Sequence, residues 1–178
     1  MTALQIIQPD NPLLRRQALR VTDFGAEFQA LVDNMIDTMM EARGLGLAGP
    51  QVSQSLRVVL ARLPDGDESQ EQYGDDAGKL YVIVNPTVTR RSDEKISGVE
   101  GCLSLPGLLG DVERHEVIEI SAQDRRGRPA RYTARGWLAR VFQHEIDHLD
   151  GILYVDIATK VWRPEDEEVG LKEMNVGP

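Results

Sequence analysis

The sequence predicts an α+β fold: a mainly antiparallel sheet packed around a C-terminal helix, with an N-terminal helix outside. Three observations predict it. Apolar residues recur at helical spacing in two stretches, one near each end of the chain. Short β-branched runs lie between those stretches and follow one another without intervening helices. Turn-forming Asn-Pro and Asp-Arg-Arg-Gly steps separate the runs.

Taken in order, residues 9–20 read as a short helix or turn after an extended start. Residues 23–41 place Leu31, Met35, Ile36, Met39 and Met40 on one helical face. Asp23 or Gly25 can start that helix and Gly44 can stop it. GLGLAGPQ at 44–51 is a glycine-punctuated loop, and residues 56–63 form a strand. The segment 64–78 (PDGDESQEQYGDDAG) is acidic and nearly free of apolar residues, so it is expected to be a mobile surface insertion. Residues 80–84 form a short strand ending at Asn85-Pro86, and residues 88–91 extend the sheet. Residues 117–122 alternate apolar and polar, turn at Asp124-Arg125-Arg126-Gly127, and return over 131–134. Residues 136–149 form the second helix, closed by Gly151. Residues 157–178 make an acidic tail on a single domain spanning 1–178.

Composition narrows the function classes. The chain has 178 residues, 41% hydrophobic and 28% charged, which suits one globular domain with a sizeable core. A formal net charge of −9 argues against nucleic acid as the main ligand. No apolar run approaches the roughly 20 residues that cross a bilayer, and the first residues lack the order of a signal peptide, so a cytoplasmic location is expected. One cysteine, Cys102, excludes an intrachain disulfide.

The chain has three histidines, and two of them, His144 and His148, stand four residues apart in QHEIDH. On a helix they share one face with Cβ atoms about 6 Å apart, a spacing that lets two imidazoles hold one cation. Glu145 lies about 100° further round the helix, where it reaches a bound water from the side. His-Glu-x-x-His therefore supplies two ligands and a general base. A catalytic site needs a third ligand and an open position. A protease pattern with a third histidine fails, because position 154 is Tyr154. A second protease pattern would use Glu168, in an acidic run. The favoured candidate is Cys102 in GVEGCLSLPG, a tightly held extended turn. His115 has no spaced partner and is expected to be a strand-edge residue.

Three segments, GLGLAGPQ at 44–51, EGCLSLP at 100–106 and QHEIDH at 143–148, together resemble the signature motifs of the peptide deformylases, in the same order. The resemblance spans most of residues 5–155. It implies a metal-dependent hydrolase that removes the formyl group from the N-terminal formylmethionine of nascent peptides and releases formate. It also implies Cys102, His144 and His148 as metal ligands and Glu145 as the catalytic carboxylate. By the same resemblance, the Gln51 amide and the Leu103 N–H are donors to the formyl oxygen, and Gly46 is a backbone contact to the substrate. The implied metal is Fe2+, with Zn2+, Ni2+ or Co2+ able to replace it, and transient contact with the ribosome is expected. Two positions depart from the pattern: Gly49 replaces a second alanine, and Leu109 stands where many members place a substrate-steadying arginine. Arg114 is expected to pair with Glu100 or Asp147. The alternative function is a metalloprotease using Glu168.

Overall fold

The computed structural model describes residues 3–164. A 3-10 turn at Pro12–Arg15 precedes helix α1, Ala26–Glu41. Strand β1 (Gly46–Ala48) runs into a second 3-10 turn, Gly49–Val52, and strand β2 is Val58–Arg62. Helix α2 (Asp67–Tyr73) is followed by β3 (Leu80–Arg91), β4 (Lys95–Cys102), β5 (Leu105–His115), β6 (Val117–Gln123) and β7 (Pro129–Arg135). Helix α3 spans Gly136–Leu149, and β8 is Lys160–Trp162. The strands form two sheets, ordered β1-β2-β3-β6-β7 and β4-β5-β8, and every strand pair is antiparallel.

The larger sheet is covered on both faces, which explains why the Val58-Val59-Leu60-Ala61 run in β2 is apolar throughout. Side chains alternate along a strand. Val58 and Leu60 pack with Phe28, Val32, Met35 and Met39 of α1. Val59 and Ala61 pack with Leu138, Phe142, Ile146 and Leu149 of α3. A third apolar cluster, with Leu14, Leu105, Val112, Leu153 and Tyr154, lies against the smaller sheet. Helix α3 touches both sheets, and this places its metal-ligand candidates between them.

The α+β class with antiparallel sheets holds, and α3 has the expected bounds. Several expectations are corrected. Residues 80–91 form one strand, because Asn85 takes a positive φ of 52° and the register with β6 shifts there, which lets Pro86 sit inside a strand. Asn85 is held by hydrogen bonds with the Val21 N–H (2.8 Å) and C=O (2.9 Å). The acidic segment 64–78 contains α2, with Asp67 and Glu68 in its first turn, where the helix dipole favours negative charge. Its ends are tied down by Arg62, which binds Asp65 at 2.5 Å and the Gly78 carbonyl at 2.9 Å. Residues 160–162 of the expected tail pair with β5 as β8, and residues 165–178 lie outside the described residues.

Strands β4 and β5 replace what reads as an extended turn. Glycines at 98, 101, 107 and 110 weaken any strand signal in the sequence, yet close packing requires two of them. A Cβ on Gly98 would lie 2.8 Å from Arg140 Cζ, and one on Gly110 would lie 2.9 Å from the Tyr154 ring.

Gly151, just past α3, combines a φ of 75° with a backbone approach in which a Cβ would meet the Arg15 carbonyl at 2.7 Å. Gly151→Ala is therefore expected to destabilise the fold by about 2 kcal/mol. A urea midpoint equal to the wild type's would refute this.

Candidate metal centre

Residues distant in sequence become spatial neighbours here through α3 and the end of β4. His144 and His148 lie one turn apart on α3, with ring centroids 5.1 Å apart. Cys102 ends β4, just after the register shifts between Glu100 and Cys102, an irregularity of the kind that re-aims side chains. Its Sγ is 3.3 Å from His148 Nε2. One donor atom from each of Cys102, His144 and His148 lies within 4.8 Å of the others. Two ligands at ordinary bond lengths to one tetrahedral ion sit roughly 3.5 Å apart, so the set fits a divalent cation.

The imidazoles are prepared for that role. His144 donates from Nδ1 to Glu100 Oε2 at 2.8 Å, which fixes the ring and leaves Nε2 as the nitrogen that can serve a cation once its proton is displaced. Burial would lower the His144 pKa, but hydrogen bonds with Cys102 and Glu100 outweigh it and raise it to about 10, whereas burial, followed by the His144 and Arg114 charges, pushes His148 well below its ordinary pKa, so the His148 imidazole is neutral. The Tyr154 ring stacks on His144 at 5.8 Å, and its hydroxyl donates to the Leu108 carbonyl.

Gln51 stands in the 3-10 turn after β1. Its Oε1 accepts from the Ala48 N–H at 2.8 Å, so its NH2 must face the other way. There it donates to Cys102 Sγ at 3.4 Å and to Ser104 Oγ at 3.3 Å. Glu145 is buried, and its Oε2 has no hydrogen-bond partner. Burial raises its pKa to about 7, where it can accept and return a proton near neutrality. Close packing requires a glycine at 46: a Cβ there would lie 2.3 Å from Glu145 Oε1. These groups border a cavity of about 360 Å³ between β1, β4 and α3, which Leu103, Leu109 and Trp137 also line.

All the sequence-predicted site residues that fall among the described residues thus converge, and Glu168 lies outside them. Arg114 pairs with both expected carboxylates, holding Glu100 through two hydrogen bonds of 2.8 and 2.9 Å and Asp147 through one of 2.5 Å. Sequence reasoning misses Arg140, which is buried and donates to Glu100 Oε1 at 2.8 Å. Its only local signal is its place one turn before His144 on the same helix face, since the partners that explain it lie on strands distant in sequence.

Comparison with known proteins agrees with this geometry. The profile of the family described as polypeptide deformylase matches residues 3–163. A peptide deformylase of Symbiobacterium thermophilum is 42% identical over 94% of this chain and 72% of its own length. Peptide deformylase 1 of Bacillus anthracis is 40% identical over 94% of this chain and 100% of its own. The crystal structure of the peptide deformylase from Thermotoga maritima superposes with a TM-score of 0.80 at 32% identity, covering 90% of this chain and 100% of that one.

The Glu100 cluster generates a pH prediction. Burial alone would raise the Glu100 pKa, but hydrogen bonds from Arg114 and His144 outweigh it and hold the group at about 2, below its ordinary 4.5. Its stabilising contribution is complete above pH 4.5 and is lost as pH falls through about 2. Glu100→Gln strips the arginines of their buried counter-charge and is expected to lose about 3 kcal/mol at pH 7. Its stability should also fall less steeply than the wild type's between pH 4.5 and 2. Parallel acid-unfolding curves for the two proteins would defeat this reading.

Proposed function

Because the chain belongs to the polypeptide deformylase family, hydrolases that remove the N-terminal formyl group of nascent peptides, we propose a division of labour among the residues of its cavity. The observation that carries it is the Cys102, His144 and His148 cluster, with Glu145 and Gln51 beside it. In this reading Cys102, His144 and His148 hold one divalent cation. When bound, such a cation supplies a Lewis acid that acidifies water and polarises a carbonyl.

The chain's own groups do the rest. Glu145 takes a proton from the water that attacks the formyl carbon. The Gln51 NH2 and the Leu103 N–H donate to the formyl oxygen as negative charge develops on it, each worth about 3 kcal/mol. Glu145 returns its proton to the leaving nitrogen, the C–N bond breaks, and formate and a free α-amino group result. The Gly46 backbone contacts the peptide chain. Burial of Glu145 and its seat against Gly46 support this assignment.

We further propose Fe2+ as the cellular metal, with Zn2+, Ni2+ or Co2+ able to occupy the same ligands, since a thiolate and two imidazoles suit all of them. The reaction is placed in the cytoplasm, with transient contact at the ribosome where formylated peptides emerge. One catalytic domain over residues 1–178 carries it. No helix among the described residues is long and apolar enough to cross a membrane. A protease built on Glu168 is not favoured, since three ligand donors already converge without it.

Two measurements test this. Anaerobically prepared, metal-loaded protein should release formate from a formylmethionyl peptide, and Glu145→Gln should keep its metal while kcat falls by about 10²–10⁴. Cys102→Ala should lose the metal and Glu168→Ala should keep it. The reverse pattern of metal content would overturn the ligand assignment.

A further inference from the structure

Two of the ligand donors sit on α3 and the third ends β4. The gap between sulfur and imidazoles is therefore set by how α3 docks on the β4-β5 pair. Four α3 side chains make that dock: Arg140, His144 and Asp147 along one helix face, and Gln143 beside them, which accepts from the His115 N–H of β5 at 3.1 Å and donates to its carbonyl at 2.9 Å. Asp147 receives Arg114 of β5 at 2.5 Å, and His144 donates to Glu100 of β4 at 2.8 Å. Arg140 covers the end nearer the helix start. It donates to the Val112 carbonyl of β5 at 2.8 Å, to the Ile96 carbonyl of β4 at 2.6 Å, and to Glu100 Oε1 at 2.8 Å.

The Glu100 and Arg114 fork cannot replace that dock, because both residues belong to the smaller sheet. Their pairing fixes the carboxylate against β5, and Gln143, His144 and Asp147 hold the C-terminal part of the helix to the sheet, which leaves the end nearer the helix start to Arg140. Arg140 fixes the other end of the lever. It is itself held from two sides, by the Trp137 ring 5.7 Å from its Cζ and by the close approach of Gly98.

Resting on the metal-site reading above, we propose that Arg140 is a positioning residue for the metal centre. Through Glu100 and the strand carbonyls it sets the distance and angle at which the Cys102 thiolate meets the two imidazoles. The proposal is distinct from a packing role. Packing alone would lower stability and leave the affinity of the folded protein for metal unchanged.

The test uses cobalt(II) as the probe on the full chain, with affinity measured by chelator competition and ligand geometry by the visible and thiolate charge-transfer bands. Arg140→Met keeps the volume of the stem. It is expected to weaken cobalt binding by about 10–100-fold and to alter the bands, as loss of a group that orients a ligand does. Arg140→Lys keeps the buried charge but cannot span both strands and Glu100, so an intermediate loss is expected. Wild-type affinity and bands in folded Arg140→Met would overturn the proposal. If that variant does not fold, wild-type affinity in Arg140→Lys would overturn it instead. Cys102→Ser is the control: should it bind cobalt as the wild type does, the ligand assignment falls and this inference with it.

Discussion

One buried carboxylate organises the molecule around its site. Glu100 accepts hydrogen bonds from Arg114, Arg140 and His144, and these belong to two different secondary-structure layers. A lone ionised carboxylate would be strongly disfavoured at this depth. Two guanidiniums make its burial tolerable, and the geometry of their forks fixes both oxygens in direction. The cluster thus joins β4, β5 and α3 at one point and orients an imidazole as it does so.

The sheet and helix arrangement serves that point. Helix α3 presents an apolar stripe of Leu138, Phe142, Ile146 and Leu149 to the larger sheet and a polar stripe of Arg140, His144 and Asp147 to the smaller one. Area burial on the first face provides most of the holding force, and polar geometry on the second provides direction. Glu145 falls between the two stripes, where it is dry enough to have its pKa raised to about 7 and still borders the cavity.

What the sequence revealed followed periodicity and local chemistry. Helix α3 was legible to its ends because both its apolar spacing and its paired histidines obey the helical repeat. Cys102 and Glu145 were singled out because their residue types carry chemistry beside the paired histidines, whereas Gln51 was singled out only by the family resemblance. Strands β4 and β5 were hidden, because their glycines are set by what presses on them, Arg140 and Tyr154, and not by local preference. Helix α2 was hidden because it buries no side chain, so no apolar pattern announces it. The role of Tyr154 was hidden by its type: the residue that rules out a third histidine ligand turns out to stack on the first one. Arg140 was missed because a buried arginine is explained only by its partners, and these lie on strands distant in sequence.

Tyr154 also bears on when the pocket comes into existence. It lies beyond the last imidazole donor, packs under His144 and is itself anchored on β5. Just after it, β8 adds to the same sheet. The contacts that complete the centre are thus long-range in sequence and concentrated near the end of the described chain. During synthesis, almost all of these residues must leave the exit tunnel before any of this machinery can assemble. Chelation would therefore report on completed folding of the described residues, not on a preformed local motif.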